Sequence, residues 1–352
     1  MRRELFLLLC ALFLFIGNLI SAYLLTPKSI PFILILIIIA IILSRYIKVT
    51  FLAIFLLLGV LGKQYSIFER IFPENTDRDI SEILLEERER FSNYIDNLYH
   101  GQDDNSIAII KALSIGSKEQ IDDQTWENFR KSGTLHLLAL SGMHLGIIYQ
   151  MLHYLLAIMG NFPLARKIKS IIIITSIWLY TIFTGAGVSL LRASIMATVY
   201  EFATLIEREK NGINALSISA IVIILIWPEA PLGAGFQLSF GAMMGIFLIY
   251  PHLAKLSTPK NFIVGYILRI TLFSVSCTIF TTPLLLFRFN TYALFSMLTN
   301  LLCTPLITVS MGLIPISIAS SVIVPQLNGL INFLLFKTIE IFSFINHVLG
   351  NI

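Results

Sequence analysis

The sequence predicts an all-α, polytopic transmembrane helix bundle with about 9–12 spans and a short helical extracytoplasmic segment. One reason is composition, because 56% of the 352 residues are hydrophobic and only 13% are charged, whereas soluble domains carry about 25% charged residues. A second reason is that apolar residues form long blocks, such as 30–43 and 168–183. A helix needs about 17–25 apolar residues to cross the hydrocarbon core. Backbone groups in lipid must also satisfy their own hydrogen bonds, which favours helices.

Stretches long and apolar enough to be candidate spans number about eleven. In chain order they are 5–25, 30–43, 47–62, 135–159, 168–184, 189–207, 213–227, 233–251, 263–287, 291–319 and 328–349. The first follows two arginines, as a signal peptide would, but no small-residue cleavage site closes it, so we expect a retained helix. The stretch 291–319 contains Pro305 and Pro315, which predicts a broken helix or a hairpin there.

Lysine and arginine residues are distributed unevenly between the predicted loops. If the N-terminus is cytoplasmic, the short outer loops hold almost none of them, which matches the positive-inside rule. The cytoplasmic loops then hold Arg2, Arg3, Arg45, Lys48, Arg166, Lys167, Lys169, Arg208, Lys210, Lys255 and Lys260. We therefore predict a multi-pass protein of the cell (inner) membrane with a cytoplasmic N-terminus. This pattern leaves the side of the C-terminus open.

The one long polar segment divides the chain into 1–62, 63–131 and 132–352. Residues 63–131 hold 15 acidic and 9 basic residues and face the outside on this topology. Apolar residues recur at helical spacing between Ile80 and Leu98, which predicts an amphipathic helix on the bilayer or on the bundle. The segment shows no strand-like alternation, so we expect no β-barrel of the OB type there.

The residues that usually hold metals or nucleotides are absent or badly spaced. Cys10, Cys277 and Cys303 all lie in apolar stretches without metal-ligand spacing, so neither a disulfide framework nor a zinc site is expected. No G-x-x-x-x-G-K-[ST] loop for ATP occurs in the sequence. We predict no metal, no cofactor and no catalytic residue in this chain.

Polar residues cluster inside predicted spans, where they are costly and tend to face a water-filled path. The first cluster contains His136, Ser141 and His144 beside the pair Gly142 and Gly146. Glycines four residues apart let helix backbones approach closely. Two interpretations remain open: a packing seam with two satisfied histidines, or polar groups that line a path.

A second cluster joins a glycine-rich turn, Gly185 and Gly187, to Arg192 in the first turn of the next span. The guanidinium group fits phosphate well. It is equally able to snorkel to the outer interface. Both interpretations stay open on the sequence.

The remaining clusters lie in the last third of the bundle. Gln237 and Ser239 are hydrogen-bonding groups in an apolar span that also carries the second close-packing pair, Gly241 and Gly245. Asn300 precedes Pro305 in a polar, helix-broken region. Broken helices at membrane depth are tolerated where they line a cavity.

Taken together and in this order, the clusters resemble the competence domain of the ComEC family of DNA-internalisation proteins. The resemblance covers about residues 107 to 310, and its first and third runs are the more specific. The runs are Phe129-x-x-Ser132-Gly133-x-x-His136-Leu137-Leu138-Ala139-Leu140-Ser141-Gly142-Met143-His144, Arg192-Ala193-x-x-Met196, Gly235-Phe236-Gln237-Leu238-Ser239-Phe240 and Asn300-x-x-x-x-Pro305.

The resemblance implies a non-enzymatic channel that imports single-stranded DNA across the inner membrane during natural transformation. It also implies a separate DNA receptor on the outer face and a cytoplasmic helicase or motor, and it leaves a homo-oligomeric assembly open. The residues expected to line or shape the DNA path are His136, Ser141, Gly142, His144, Arg192, Gln237, Ser239 and Asn300.

The chain departs from larger members of the family in two ways. They carry an outward OB-like domain, whereas the outer segment here is acidic and helical, so we expect that it does not grip DNA directly. Many also end in a metallo-β-lactamase-like domain, whose His-x-His-x-Asp-His run is absent from this sequence. We therefore expect a separate protein to supply any nuclease.

Three alternatives are weighed against the DNA channel. An intramembrane serine protease would use Ser141 with a histidine, but the rhomboid pattern has glycine where Ala139 stands, and such a histidine usually comes from another span. A solute or lipid transporter would show inverted repeats, and none is visible. A decayed or truncated family member that folds without working is also compatible with the sequence.

Overall fold

The computed structural model describes residues 3–23, 74–160, 162–255, 261–289 and 296–350. In these ranges every regular element is helical and no strand occurs, which confirms the all-α prediction. The α-helices are α1 Arg3–Tyr23, α2 Glu74–Leu98, α3 Asp104–Ile115, α4 Asp123–Lys131, α5 Leu135–Leu138, α6 Gly142–Leu155, α7 Pro163–Phe183, α8 Val188–Leu205, α9 Gly212–Ile226, α10 Ala234–Leu248, α11 Tyr250–Lys255, α12 Phe262–Phe289, α13 Ser296–Ile323 and α14 Pro325–Gly350.

Several of these helices have the length and composition of membrane spans. Six helices of the described ranges qualify: Gly142–Met159, Val188–Leu205, Ala234–Lys255, Val264–Arg288, Thr299–Ile323 and Pro325–Gly350. The first of them includes a short 3-10 helix, Leu156–Met159, after α6. The predicted spans 30–43 and 47–62 lie outside the described residues. The chain is therefore a polytopic helical membrane protein, as predicted.

The prediction of one continuous span over 135–159 is wrong. The chain forms the short helix α5, leaves helical geometry at Ala139 and begins α6 at Gly142. Ser141 is the N-cap, with extended backbone (φ −133°, ψ 171°) and a side chain that accepts a hydrogen bond from the Met143 N–H. A serine competes with the helix for backbone hydrogen bonds and so favours the cap position. The break therefore falls inside the most polar run of the sequence.

The prediction of a broken helix or hairpin over 291–319 is also wrong for its described part. Helix α13 continues through Pro305 and Pro315 as far as Ile323 and then forms a hairpin with α14. Hydroxyl and amide groups tie the two helices together, which stabilises a proline-containing helix in its place. The hydrogen bonds join Ser310 to Thr338 (3.0 Å), Ser317 to Asn332 (2.5 Å) and Ser320 to Asn328 (3.0 Å).

The segment before the first run is helical, as predicted, but part of it lies inside the bundle. Helix α2 is amphipathic: Ile95 is buried, while Ile83 is 60% exposed. Helix α3 is buried along most of its length and packs in one core with α13 and α14. Its Lys111, 1% exposed, is neutralised by Asp96 at 2.5 Å and also bonds Gln120. Although the segment 63–131 is rich in charged residues, the apolar residues around Lys111 place α3 in the core.

Helix α8 lies between two of the three hydrophobic cores that the described residues form. One core joins α8 to α1, α9 and α10, and another joins α8 to α6 and α7. The third core contains α3, α13 and α14 together with Phe129 of α4. Polar side chains on α8 therefore face neighbouring helices on more than one side.

A buried hydrogen-bond network attaches the start of the first run to α14. The side-chain oxygen of Asn346 accepts from the hydroxyls of Ser132 (2.7 Å) and Thr134, and its amide donates to the Phe342 carbonyl (2.7 Å). Ser132, Thr134 and Asn346 are each 0% exposed. Near the end of α14, a Cβ on Gly350 would lie 2.8 Å from the Asn128 carbonyl oxygen. The C-terminal end of α14 and the end of α4 are thus at the same end of the bundle.

Replacing Asn346 by alanine should destabilise the fold. The change removes the shared acceptor of two buried hydroxyls, and an unpaired buried polar group costs about 1–3 kcal/mol. Thermal unfolding of the purified chain in detergent should show a lower midpoint for Asn346→Ala than for the wild type. Asn93→Ala, at an exposed position of α2, is the matched control and should not move the midpoint. Equal midpoints for both variants would contradict the role of the network.

Candidate functional site

Three of the polar runs meet at the guanidinium group of Arg192. Arg192 is the fifth residue of α8, at the start of its second turn, and is 6% exposed. Its Nη1 donates a hydrogen bond to the Ser239 carbonyl of α10. Its Nη2 lies so close to Gly142, at the start of α6, that a Cβ on this residue would overlap with it. The side chain therefore points into the bundle between α6 and α10, which fits a buried site better than snorkelling.

The guanidinium group has no carboxylate partner in the described part of the chain. No ion pair to Arg192 occurs there, and its Nε is buried without a hydrogen-bond partner. The Phe240 ring lies 5.9 Å from its Cζ, at the distance of a cation–π contact. The N-terminus of α6 adds partial positive charge next to the same group. Together these features make a buried positive site that no carboxylate of the described residues compensates.

Further buried polar atoms of the four runs also lack partners. They are His144 Nε2, Ser239 Oγ and Asn300 Oδ1. Elsewhere in the described ranges, such atoms occur at Asn18, Asn105 and Asn214. Buried polar groups in folded proteins are nearly always hydrogen-bonded, so orphaned groups mark places for water or a ligand. The runs therefore contain several groups whose hydrogen-bonding capacity the described residues do not use.

Ser141 and His144 form a capping box at the start of α6. The Ser141 Oγ lies 3.0 Å from His144 Nδ1, and the Ser141 N–H donates to the same nitrogen at 3.3 Å. Because Nδ1 accepts this bond, the ring hydrogen belongs on Nε2. His144 is fully buried, and its Nε2 meets no hydrogen-bond partner of good geometry among the described residues. The main role of this pair is to set the position at which α6 begins, at Gly142.

The other path candidates lie in different settings. His136 is exposed, and its Nδ1 is 3.0 Å from the Gly133 carbonyl. The Gln237 amide donates to the Pro231 carbonyl at 2.8 Å and so holds the turn before α10. Asn300 follows Thr299, whose hydroxyl donates to the Ser132 carbonyl at 2.9 Å. The fourth run is thereby attached to the first.

The predicted packing glycines lie in three different settings. Gly241 and Gly245 lie against α12, where a Cβ on Gly245 would overlap with the Ser276 backbone. Gly185 adopts φ +88° in the turn before α8, a conformation that glycine favours. At Gly146 and Gly187 no described atom lies within 4 Å of an added Cβ. No neighbouring helix of the described ranges therefore approaches closely at Gly146 or Gly187.

Sequence reasoning missed a second buried charge on α8. The Glu201 carboxylate is 1% exposed and accepts hydrogen bonds from Tyr149 and Ser170, each at 2.6 Å. It also missed Asn346 as the partner of Ser132. An acidic residue inside a predicted span was a usable signal for Glu201. Nothing local marked Asn346, because its partner Ser132 is 214 residues away along the chain.

Comparison with known proteins identifies a family model and several relatives that match this chain. The family model described as "Competence protein" matches residues 113–351, which include all four runs. The chain is 29% identical over 248 residues to ComE operon protein 3 of Bacillus subtilis, covering 70% of this chain and 30% of the relative. It is 25% identical over 216 residues to Recombination protein 2 of Haemophilus influenzae, covering 56% and 26%.

A third relative, Competence protein ComA of Neisseria gonorrhoeae, is 26% identical over 147 residues, which cover 40% of this chain and 21% of the relative. The chain thus spans less than a third of the length of each of these relatives. No solved structure matches it. Since the family model accounts for most of the residues, the chain belongs to the ComEC-type competence protein family.

Proposed function

We propose that the chain forms a passage through which single-stranded DNA crosses the inner membrane during natural transformation. The observation that carries the proposal is the meeting of three separate runs at one buried, uncompensated arginine. The names of the relatives, which refer to competence and recombination, support DNA as the substrate. A strand in transit needs a polar, partly cationic path.

The groups at Arg192 suit the phosphates of such a strand. Arg192 Nε–H and the Ser239 hydroxyl are donors without partners, and a phosphodiester group presents only acceptors to them. Charge-assisted hydrogen bonds to phosphate are stronger than neutral ones, and the planar fork of arginine matches that anion. A single buried cation also limits the affinity, so that each phosphate is able to leave again. We assign Arg192 the role of a transient phosphate contact.

The other path residues are proposed to shape the route around Arg192. Ser141 and His144 set the start of α6, Gly142 leaves room for the guanidinium group, and Gln237 holds the turn that leads to α10. His136 and Asn300 are proposed to add polar groups to the same route. None of these roles requires a reaction, so we propose a channel without enzymatic activity.

The proposal includes further components and an orientation. A receptor on the outer face would deliver DNA, and a cytoplasmic helicase or motor would draw the strand inward. Degradation of the second strand would fall to a separate nuclease, and several copies of the chain are compatible with this scheme. With a cytoplasmic N-terminus, α2 to α4 and the end of α14 would lie at the outer end. The acidic segment would then repel phosphate rather than bind it.

An intramembrane serine protease is the second candidate, and one distance favours it: Ser141 Oγ lies 3.0 Å from His144 Nδ1. Two observations weigh against it. The same Oγ already accepts a hydrogen bond from the Met143 N–H, and no group in the described ranges bonds the far nitrogen of the imidazole to orient it. The geometry is therefore better explained as a helix cap.

Removing the Arg192 charge should block DNA uptake without removing the protein. In a competent host that lacks the gene, we would restore either the wild type or a variant and supply labelled double-stranded DNA. Nuclease-protected DNA and recombinants would be scored separately. With Arg192→Ala, recombinants should fall by roughly 10–100-fold while protected DNA accumulates, since a charge-assisted hydrogen bond is worth about 1.5–3 kcal/mol.

The control for this experiment is Arg269→Ala, because Arg269 bonds only a carbonyl of its own helix, Gly265, among the described contacts. It should behave as the wild type, and immunoblots should show equal abundance for all chains. Normal recombinant yields for both Arg192→Ala and Arg192→Lys would contradict the phosphate contact. An unchanged yield after deletion of the gene would contradict the channel as a whole.

Gly142→Ala should reduce DNA uptake through Arg192. A methyl group at residue 142 would displace Nη2, yet only the end of a flexible side chain has to move, so abundance should stay near normal. Gly146→Ala is the matched control, because it makes the same change four residues later on α6, where no described atom lies within 4 Å. Recombinant counts should fall for the first variant alone. Equal counts for the two variants would mean that the position of Arg192 does not matter.

A further inference from the structure

The Glu201 carboxylate joins three helices, α6, α7 and α8, by hydrogen bonds. Glu201 is on α8, Tyr149 and His153 are on α6, and Ser170 is on α7. Their hydrogen bonds to the carboxylate measure 2.6 Å from Tyr149, 2.9 Å from His153 and 2.6 Å from Ser170. Among the buried residues of the described ranges, Glu201 is the one acid.

A short chain of proton-bearing groups connects this carboxylate to the surface. Lys210, in the loop after α8, lies 3.8 Å from Glu201 Oε1 and donates to the Tyr149 hydroxyl at 3.3 Å. The side chains of Lys210 and His153 are 43% and 32% exposed. Tyrosine, histidine and lysine all exchange protons with water. The buried carboxylate therefore directly contacts side chains that are partly exposed to solvent.

Other charged groups surround this end of the bundle but do not contact the carboxylate. Arg166 of α7 forms an exposed ion pair with Glu207 at 3.1 Å. Lys169, next to Ser170, bonds the Gly160 carbonyl. Tyr200 precedes Glu201 on α8. The groups that respond directly to the charge of Glu201 are thus Tyr149, His153 and Lys210.

A purely structural link would not need a charge here. Burying a carboxylate between apolar helices costs several kcal/mol before its partners repay part of the cost, and a neutral amide would join the same helices more cheaply. Ionisable groups inside membrane helices are commonly functional, and proton relays are one of their uses.

Glu201 and Arg192 act on the same pair of helices. They are nine residues apart on α8, or about 14 Å at 1.5 Å per residue. Arg192 faces Gly142 near the start of α6, and Glu201 bonds Tyr149 and His153 farther along the same helix. A change in how α6 and α8 are held at Glu201 therefore reaches the contact between Gly142 and Arg192.

We propose that Glu201, with Tyr149, His153, Ser170 and Lys210, forms a proton-binding site that controls the packing of α6 on α8. When Glu201 is ionised, it attracts the Lys210 ammonium group and accepts the hydrogen bonds of Tyr149 and Ser170, which holds the helices together. When it takes up a proton, the attraction for Lys210 is lost and the carboxyl group accepts these hydrogen bonds less strongly. Acidification therefore loosens this end of the interface. The inference goes beyond DNA passage and does not require it.

Infrared difference spectra of the purified full chain, recorded during an acid titration, would detect the proton directly. The wild type should gain a carbonyl-stretch band of a protonated carboxyl group in an apolar setting, and Glu201→Gln should lose it. Glu207→Gln, which removes an exposed carboxylate (73% exposed) at the same end, is the matched control and should keep the band. The same band in wild type and Glu201→Gln would overturn the proposal.

A spin label would test the mechanical part of the proposal. Gly146→Cys places the label on α6 between Gly142 and Tyr149, at a position with open space, in a chain whose three native cysteines are replaced by alanine. Label mobility should rise on acidification with Glu201 present and stay constant with Glu201→Gln. A pH response that survives Glu201→Gln, or a band without any mobility change, would overturn the proposal. Neither measurement involves DNA, so a failed channel hypothesis would leave both results interpretable.

Discussion

The arrangement of the bundle around α8 depends on one buried positive charge, for which the described residues supply no carboxylate partner. Arg192 is held by a carbonyl of α10 and by the space that Gly142 leaves at the start of α6. A cation in this position is costly in an apolar bundle. Its surroundings are consistent with a ligand that brings its own negative charge, and the phosphate of a DNA strand has that property.

The rest of the site follows from keeping that charge in place. The capping box of Ser141 and His144 starts α6 where Gly142 is needed. The bonds of Ser132 and Thr134 to Asn346 fix the segment that leads into this helix. On the far side, Gly245 lets α10 pack directly on α12. Helix caps, buried amide groups and glycines thus all help to hold the helices around Arg192 in position.

The sequence predicted the helical class and the important polar runs, because long apolar blocks and polar residues inside them are local signals. It did not predict the break before Gly142, since the apolar pattern continues across it. The prolines of α13 suggested a break, but the helix continues through both of them and is linked to α14 by side-chain hydrogen bonds. Because many charged residues flank α3 in the sequence, the pattern did not predict that its apolar residues are buried. The link from Ser132 to Asn346 depends on tertiary structure, which no local pattern reveals.

The most direct test of the central claim is to map where a DNA strand lies during uptake. DNA whose phosphates carry photoreactive aryl azide groups would be stalled in transit in the native, full-length chain, irradiated and analysed by mass spectrometry. The account predicts adducts in the segments around Gly142, Arg192 and Ser239. Adducts confined to the lipid-facing sides of α7 and α14, or absent from these three segments, would contradict it.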